Sequence, residues 1–188
     1  MMEKPFLIVI TGRPASGKTT LAKILSQEIK CPLLSRDAFK EGYVNTVKLN
    51  HVQLGNAVNL NIYETFFKAV ELLISNRISV IIEAAFQDKL WKPKLLSLSD
   101  RAEIKIIICN TSPDIAKTRF ADRLLNDPDR NKFHGDKFLN SGKERDRLMT
   151  DHYDPVNIDA PTLEVDTTEN YNPGLGEIIS FIKKINGC

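Results

Sequence analysis

The sequence predicts an α/β fold organised around a mainly parallel sheet. Two observations carry that prediction. Short β-branched and aliphatic runs alternate with segments of helical periodicity along the chain. The first such run passes through a glycine-rich turn directly into a helix-like segment.

Phe6–Thr11 is apolar without alternation and is bounded by Pro5 and Gly12, as expected for a strand buried on both faces. Lys18–Lys30 follows with Leu21, Ile24, Leu25 and Ile29 at helical spacing. Pro32 ends that helix and Leu33-Leu34 forms a short second strand. From Leu49 to Asn76 runs a long helical pattern, with Leu60, Tyr63, Phe67, Val70 and Ile74 on one side. Gly55 weakens its front end, so one helix or two would fit.

Ile78–Ile82 reads as the third strand, Lys89–Leu98 as a helix, and Ile104–Cys109 as the fourth strand. Pro113 stands at a helix start, ahead of Asp114–Leu125. Asn126–Asn140, rich in Asp, Asn, Pro and Gly, is expected to be a mobile flap. Leu163–Asp166 is the last strand and Leu175–Ile185 a closing amphipathic helix. The expected organisation is one domain over residues 1–188, with no internal repeat.

Size and composition narrow the function classes. A chain of 188 residues suits one well-buried domain, and 42% hydrophobic with 27% charged residues suits a globular protein. A net charge of +2 gives no general attraction to nucleic acid or membranes and leaves a small anion as the easier ligand. The three cysteines, Cys31, Cys109 and Cys188, are too sparse for a disulfide framework or metal site, which fits the reduced cytoplasm. Cys109 reads as a core residue. Phe6–Ile10 is only a strand's length and lacks the features of an export signal. No run approaches the roughly 20 apolar residues a membrane span needs.

Gly12-Arg13-Pro14-Ala15-Ser16-Gly17-Lys18-Thr19 satisfies G-x-x-x-x-G-K-[ST] at every fixed position, between a strand and a helix as that motif requires. The glycines let the backbone curl so that successive N–H groups face phosphate oxygens. The helix after the loop turns its positive end to the same anion. Lys18 would reach the β- and γ-phosphates of ATP, and Thr19 would offer its hydroxyl to Mg²⁺. Arg13, Pro14, Ala15 and Ser16 within the loop, and Thr20 after it, are expected to line the nucleotide phosphates.

Other residues indicate which kind of phosphate-loop protein this is. Asn131-Lys132-Phe133-His134 lacks the acid of a guanine-reading N-K-x-D motif, and no Asp stands three residues before a glycine. A GTPase switch is therefore disfavoured. Asp37 follows the second strand, at the sheet edge where such folds bind ligands. It would either take the proton of an attacking hydroxyl or cap a helix beginning at Ala38. Glu83, closing the third strand after apolar residues, would serve Mg²⁺ or orient the acceptor. Arg119 and Arg123 share a helix face and would stabilise the transferring phosphoryl group, or else remain solvated. His134 is a weaker candidate in the flap. Ser35, Arg36 and Lys40 stand near Asp37.

These residues together resemble the AAA-type group of small P-loop kinases that includes polynucleotide 5′-hydroxyl kinases, chloramphenicol phosphotransferase and zeta toxins. The carriers are Gly12–Thr19, Ser35-Arg36-Asp37 with Lys40, Glu83, Arg119 with Arg123, and Val165-Asp166-Thr167-Thr168. The resemblance implies a three-layer P-loop NTPase fold with a five-stranded parallel sheet in the order 2-3-1-4-5, flanking helices and a lid near residues 126–140. It implies Asp37 as general base, Glu83 at acceptor or metal, and Arg119 and Arg123 clamping the nucleotide. Val165–Thr168 would end near the adenine. Lys40 stands where the group often has an arginine, and Lys cannot grip a phosphate bidentately. Asn131–Asp136 departs from the group's lid motif.

The expected activity is ATP-dependent phosphorylation of a small hydroxyl-bearing acceptor. A regulatory ATPase without a small acceptor, and a kinase of nucleic-acid ends, are the alternatives. Near-neutral charge argues against the last. Tyr43–Asn61 is expected to line the acceptor. Its Asn45, Asn50, Asn56, Asn59 and Asn61, with His51 and Gln53, would suit a polyhydroxylated, uncharged compound, as they would a solvated face.

Overall fold

The computed structural model describes residues 4–48, 55–126 and 153–184. Its centre is β1, Phe6–Gly12, whose residues after Phe6 are all buried. Such a strand needs a partner on each side and cover on both faces. It pairs in parallel with β3, Val80–Glu83, on one side and with β4, Glu103–Asn110, on the other. The short β2, Leu33–Ser35, adds to β3, and β5, Thr162–Asp166, adds to β4. The five strands run in the order β2-β3-β1-β4-β5, which is the order the resemblance implied.

Helices cover both faces. One core holds Leu7, Val9, Val80 and Ile82 beneath α3, Asn56–Ser75, and α4, Asp88–Leu96. It includes an aromatic cluster in which Trp91 meets the Phe86 ring edge-on at 4.6 Å between centroids. The opposite core holds Ile8, Ile10, Ile81 and Ile107 beneath α1, Lys18–Glu28, and the last helix, α6, Leu175–Lys183. Alternation along each strand sends successive residues to opposite cores.

Two boundaries differ from the sequence expectation in an informative way. Arg36–Val47 is a separate helix, α2, with Ser35 at its N-cap, so Asp37 lies inside the first turn and does not cap it. Gly55 is the N-cap of α3, so the helical pattern does not run unbroken through it. Helix α5 spans Pro113–Asn126. The expected flap beyond Asn126, with His134, and residues 49–54 of the expected acceptor segment lie outside the described residues. No described helix is long and apolar enough to cross a membrane.

Parallel pairing brings the strand ends to one edge. Ile10 is in register with Glu83, Ser35 with Glu83, and Gly12 with Cys109. The loop Gly12–Lys18 and the start of α2 therefore meet at the carboxyl ends of β1, β3 and β2.

Candidate active site

The phosphate loop is shaped by residues that tolerate unusual backbone. Gly12 has φ 152 and Gly17 has φ 78, while Ala15 adopts φ 61. A Cβ on Gly12 would lie 2.4 Å from both the Cys109 carbonyl oxygen and Ser16 Oγ. The Ser16 amide donates to Arg13 O at 3.2 Å, which tightens the turn beside Pro14. Ser16 is fully buried and its hydroxyl has no hydrogen-bond partner among the described residues. Arg13 and Ser16 face a cleft of about 380 Å³ shared with Asn110 and Ala116.

Lys18 points back into the loop, with Nζ donating to Arg13 O at 3.2 Å and lying 4.0 Å from Glu83 Oε1. Burial pushes its ammonium below the ordinary value of 10.5; the charges of Glu83 and then Asp37 oppose this, and Arg123 adds to it. Both Asp37 and Arg123 thus act on Lys18 electrostatically. A cation held this way gains when an anion enters the loop.

Glu83 is 2% exposed, and each of its carboxylate oxygens accepts a hydroxyl. Thr19 Oγ1 donates to Oε1 at 3.2 Å, and Ser35 Oγ donates to Oε2 at 2.8 Å. Because its hydroxyl donates to Glu83, Thr19 keeps its oxygen lone pairs unspent. A hydroxyl backed by a carboxylate is a hard-oxygen donor set, so these residues fit Mg²⁺, with Glu83 behind Thr19.

Asp37 stands at the start of α2 with its side chain 46% exposed, 3.5 Å from Arg36 Nη1. Lys40, on the same helix, is buried. Asn61 of α3 donates to the Tyr43 hydroxyl of α2 at 3.2 Å, tying together the helices of the expected acceptor segment.

The paired arginines of α5 are placed differently. Arg119 is fastened to the end of β5, donating from Nη2 to Thr167 O at 2.6 Å and to Thr168 O at 3.0 Å. Thr167 in turn donates from Oγ1 to Ser16 O at 2.7 Å, which fastens this wall to the phosphate loop. Arg119, Arg123, Gly17, Thr20, Thr167 and Tyr171 line a cleft of about 450 Å³ beside the loop. Lys18, Thr19, Glu83 and Asp37 therefore gather on one side of the loop, while both arginines and Thr20 border the cleft on the other.

Thr11 and Tyr153 were not foreseen from the sequence. Their hydroxyls hydrogen-bond to each other beneath the loop, and the Phe86 amide donates to Thr11 Oγ1 at 2.9 Å. Burial raises the Tyr153 hydroxyl above its usual value. A hydroxyl residue ending a buried strand at Thr11 was a usable signal. Nothing in the periodicity announced Tyr153, which reaches the site through the isolated bridge between Gln87 and Pro155.

A family model described as an AAA domain matches residues 7–148. No curated protein sequence matches the chain. Among solved structures, a protein from Chloroflexus aurantiacus J-10-fl, provisionally described as a kinase, superposes with TM-score 0.83 at 24% identity, over 96% of this chain and 98% of that one. The APS kinase of Mycobacterium tuberculosis, in complex with AMPPNP and APS, gives TM-score 0.66 at 14% identity, covering 97% of this chain and all of that one (100%). A sugar kinase from Janibacter sp. HTCC2649 gives 0.63 at 15%, covering 95% and 96%. At such identities these likenesses speak to fold, and the fold is that of small P-loop kinases. With most of its length matched by the family model and its sheet ordered as the resemblance implied, the chain belongs to the AAA domain family.

Proposed function

We propose that the chain is an ATP-dependent kinase that transfers the γ-phosphoryl group to a hydroxyl of a small acceptor. The observation that carries this reading is the pairing of a complete phosphate loop with an accessible carboxylate across from it. Asp37 is half-exposed at the edge where β1, β3 and β2 end, and its charge acts on Lys18. An ATPase that only binds and hydrolyses has less use for a second, open carboxylate there. The kinases among the solved neighbours, for sugars and for APS, make the reading a natural one for this fold.

In the reaction, the acceptor oxygen forms a bond to the γ-phosphorus as the bond from that phosphorus to the β–γ bridging oxygen breaks. ADP leaves with the bridging electrons, and Asp37 takes the acceptor proton. Lys18 neutralises charge on the β- and γ-oxygens, and Arg123, whose charge is felt at Lys18, adds to that from the other side. Arg119, already committed to Thr167 and Thr168, serves as a wall of the nucleotide cleft. Thr19 and Glu83 would hold Mg²⁺, which when bound would screen the phosphates and orient the γ-phosphoryl group.

The test is ADP release from Mg-ATP across a panel of sugars, nucleosides, aminoglycosides, chloramphenicol and short oligonucleotides. Stimulation by one class is expected. Asp37→Asn should cut that stimulated rate by about 10²-fold or more with nucleotide affinity unchanged. Full transfer by Asp37→Asn would remove the base from this scheme. A rate unmoved by every compound would favour the regulatory ATPase.

A further inference from the structure

Ser35 occupies the N-cap of α2 with extended backbone, φ −90 and ψ 126. At that position a serine ordinarily turns its hydroxyl onto a backbone amide of the first turn. Ser35 makes no such bond, and its hydroxyl donates instead to Glu83 Oε2 at 2.8 Å on the neighbouring strand. Ser35 and Glu83 are in direct register across β2 and β3, so the bond is short-range and needs no long flexible side chain.

We propose that Ser35 is a positioning residue of this site, holding the Glu83 carboxylate in the orientation that accepts the Thr19 hydroxyl's hydrogen bond. This rests on the kinase reading above only in needing Thr19 and Glu83 to serve a divalent cation. The terminal torsion of a glutamate is broad, so one tethered oxygen does not fix the group. Lys18 Nζ, 4.0 Å from Oε1, competes for the oxygen that Thr19 uses. A donor on Oε2 removes the rotation that would hand Oε1 to Lys18 and break the Thr19 hydrogen bond. A hydrogen bond to a buried charge is stronger than one to a backbone amide, which accounts for the diverted cap. The same contact fixes the first turn of α2, and with it Asp37, two residues on, to the carboxylate behind the phosphate loop.

The experiment compares Ser35→Ala and Ser35→Thr with the wild type in ADP binding by calorimetry, with graded Mg²⁺ and in EDTA. In Ser35→Ala the Mg²⁺ concentration needed to strengthen ADP binding should rise about tenfold, the usual effect of losing an outer partner of a metal site. Affinity in EDTA should stay unchanged, and Ser35→Thr, which keeps the hydroxyl, should restore the wild-type Mg²⁺ dependence. Equal loss with and without Mg²⁺, an unmoved Mg²⁺ dependence, or failure of Ser35→Thr to restore it would overturn the proposal. Should Ser35→Ala not fold, Ser35→Cys keeps the shape with a weaker donor and should show the same selective rise. Wild-type ADP binding that ignores Mg²⁺ altogether would overturn the metal reading of Thr19 and Glu83 as well. Absence of phosphate transfer in the wild type, with the Mg²⁺ dependence of Ser35→Ala shifted as expected, would count against the kinase reading and leave Ser35 in place.

Discussion

Gly12 and Gly42 show how differently two glycines can be used in one chain. Gly12 leaves β1 at φ 152, and a methyl group there would collide with the Cys109 carbonyl, which belongs to the paired strand and cannot swing aside. Gly42 lies exposed within α2, and a methyl group there would meet no atom within 4 Å. Gly12→Ala should therefore cost about 3 kcal/mol in denaturant unfolding and destroy ADP binding. Gly42→Ala should add about 0.5–1 kcal/mol, because it removes unfolded-state freedom at a position already helical. At this scale the turn between β1 and α1 was legible in the sequence, since its motif is written in eight consecutive residues. The partners of Glu83 were not. Its two hydroxyl donors lie 64 and 48 positions away in the chain, and only the parallel register of β3 with its neighbours brings them together.

The sheet illustrates the same division at the scale of elements. Strands buried on both faces are apolar over most of their length, so β1, β3 and β4 announced themselves, with ends that moved by no more than two residues. The break between α2 and α3 was less visible because apolar spacing persists on both sides of it, and Gly55 alone marked it. Lys105 is a charged residue inside the otherwise apolar β4 run, yet it is 1% exposed. Its ammonium donates to Ile182 O at 2.8 Å, to Phe181 O at 3.3 Å and to Lys184 O, and lies 3.2 Å from Glu103 Oε1. The last carbonyls of a helix lack intrahelical partners and carry partial negative charge, so a lysine offered by the sheet caps α6 from below. Lys105→Met keeps the apolar stem and removes those donors. It should destabilise the fold by about 3 kcal/mol, with early loss of amide-exchange protection confined to α6. Uniform protection loss across the sheet would mean instead that Lys105 supports the core and not the helix end.

For the molecule as a whole, the site is a property of the sheet's assembly: β1 supplies the loop, β3 Glu83, β2 the approach to Asp37, and β5 the backing for Arg119. A ligand that spans these contributions binds the folded state alone, so its binding energy becomes folding stability. At a hundredfold excess over its dissociation constant, ADP with Mg²⁺ should add about 2.7 kcal/mol. For a chain of this length that corresponds to a rise of about 5–10 °C in Tm. The net charge of +2 supplies no broad field for a polyanion, so the effect should come from the phosphate loop and not from general attraction. A single-stranded oligonucleotide with a free 5′-hydroxyl, given without nucleotide at physiological salt, should leave Tm unmoved. Lys18→Ala should lose most of the ADP shift while still unfolding cooperatively. If the oligonucleotide raised Tm as ADP does, and salt abolished the effect, the charge argument would fail. The acceptor would then be sought among nucleic-acid ends, beginning with the surface around Arg36 beside Asp37.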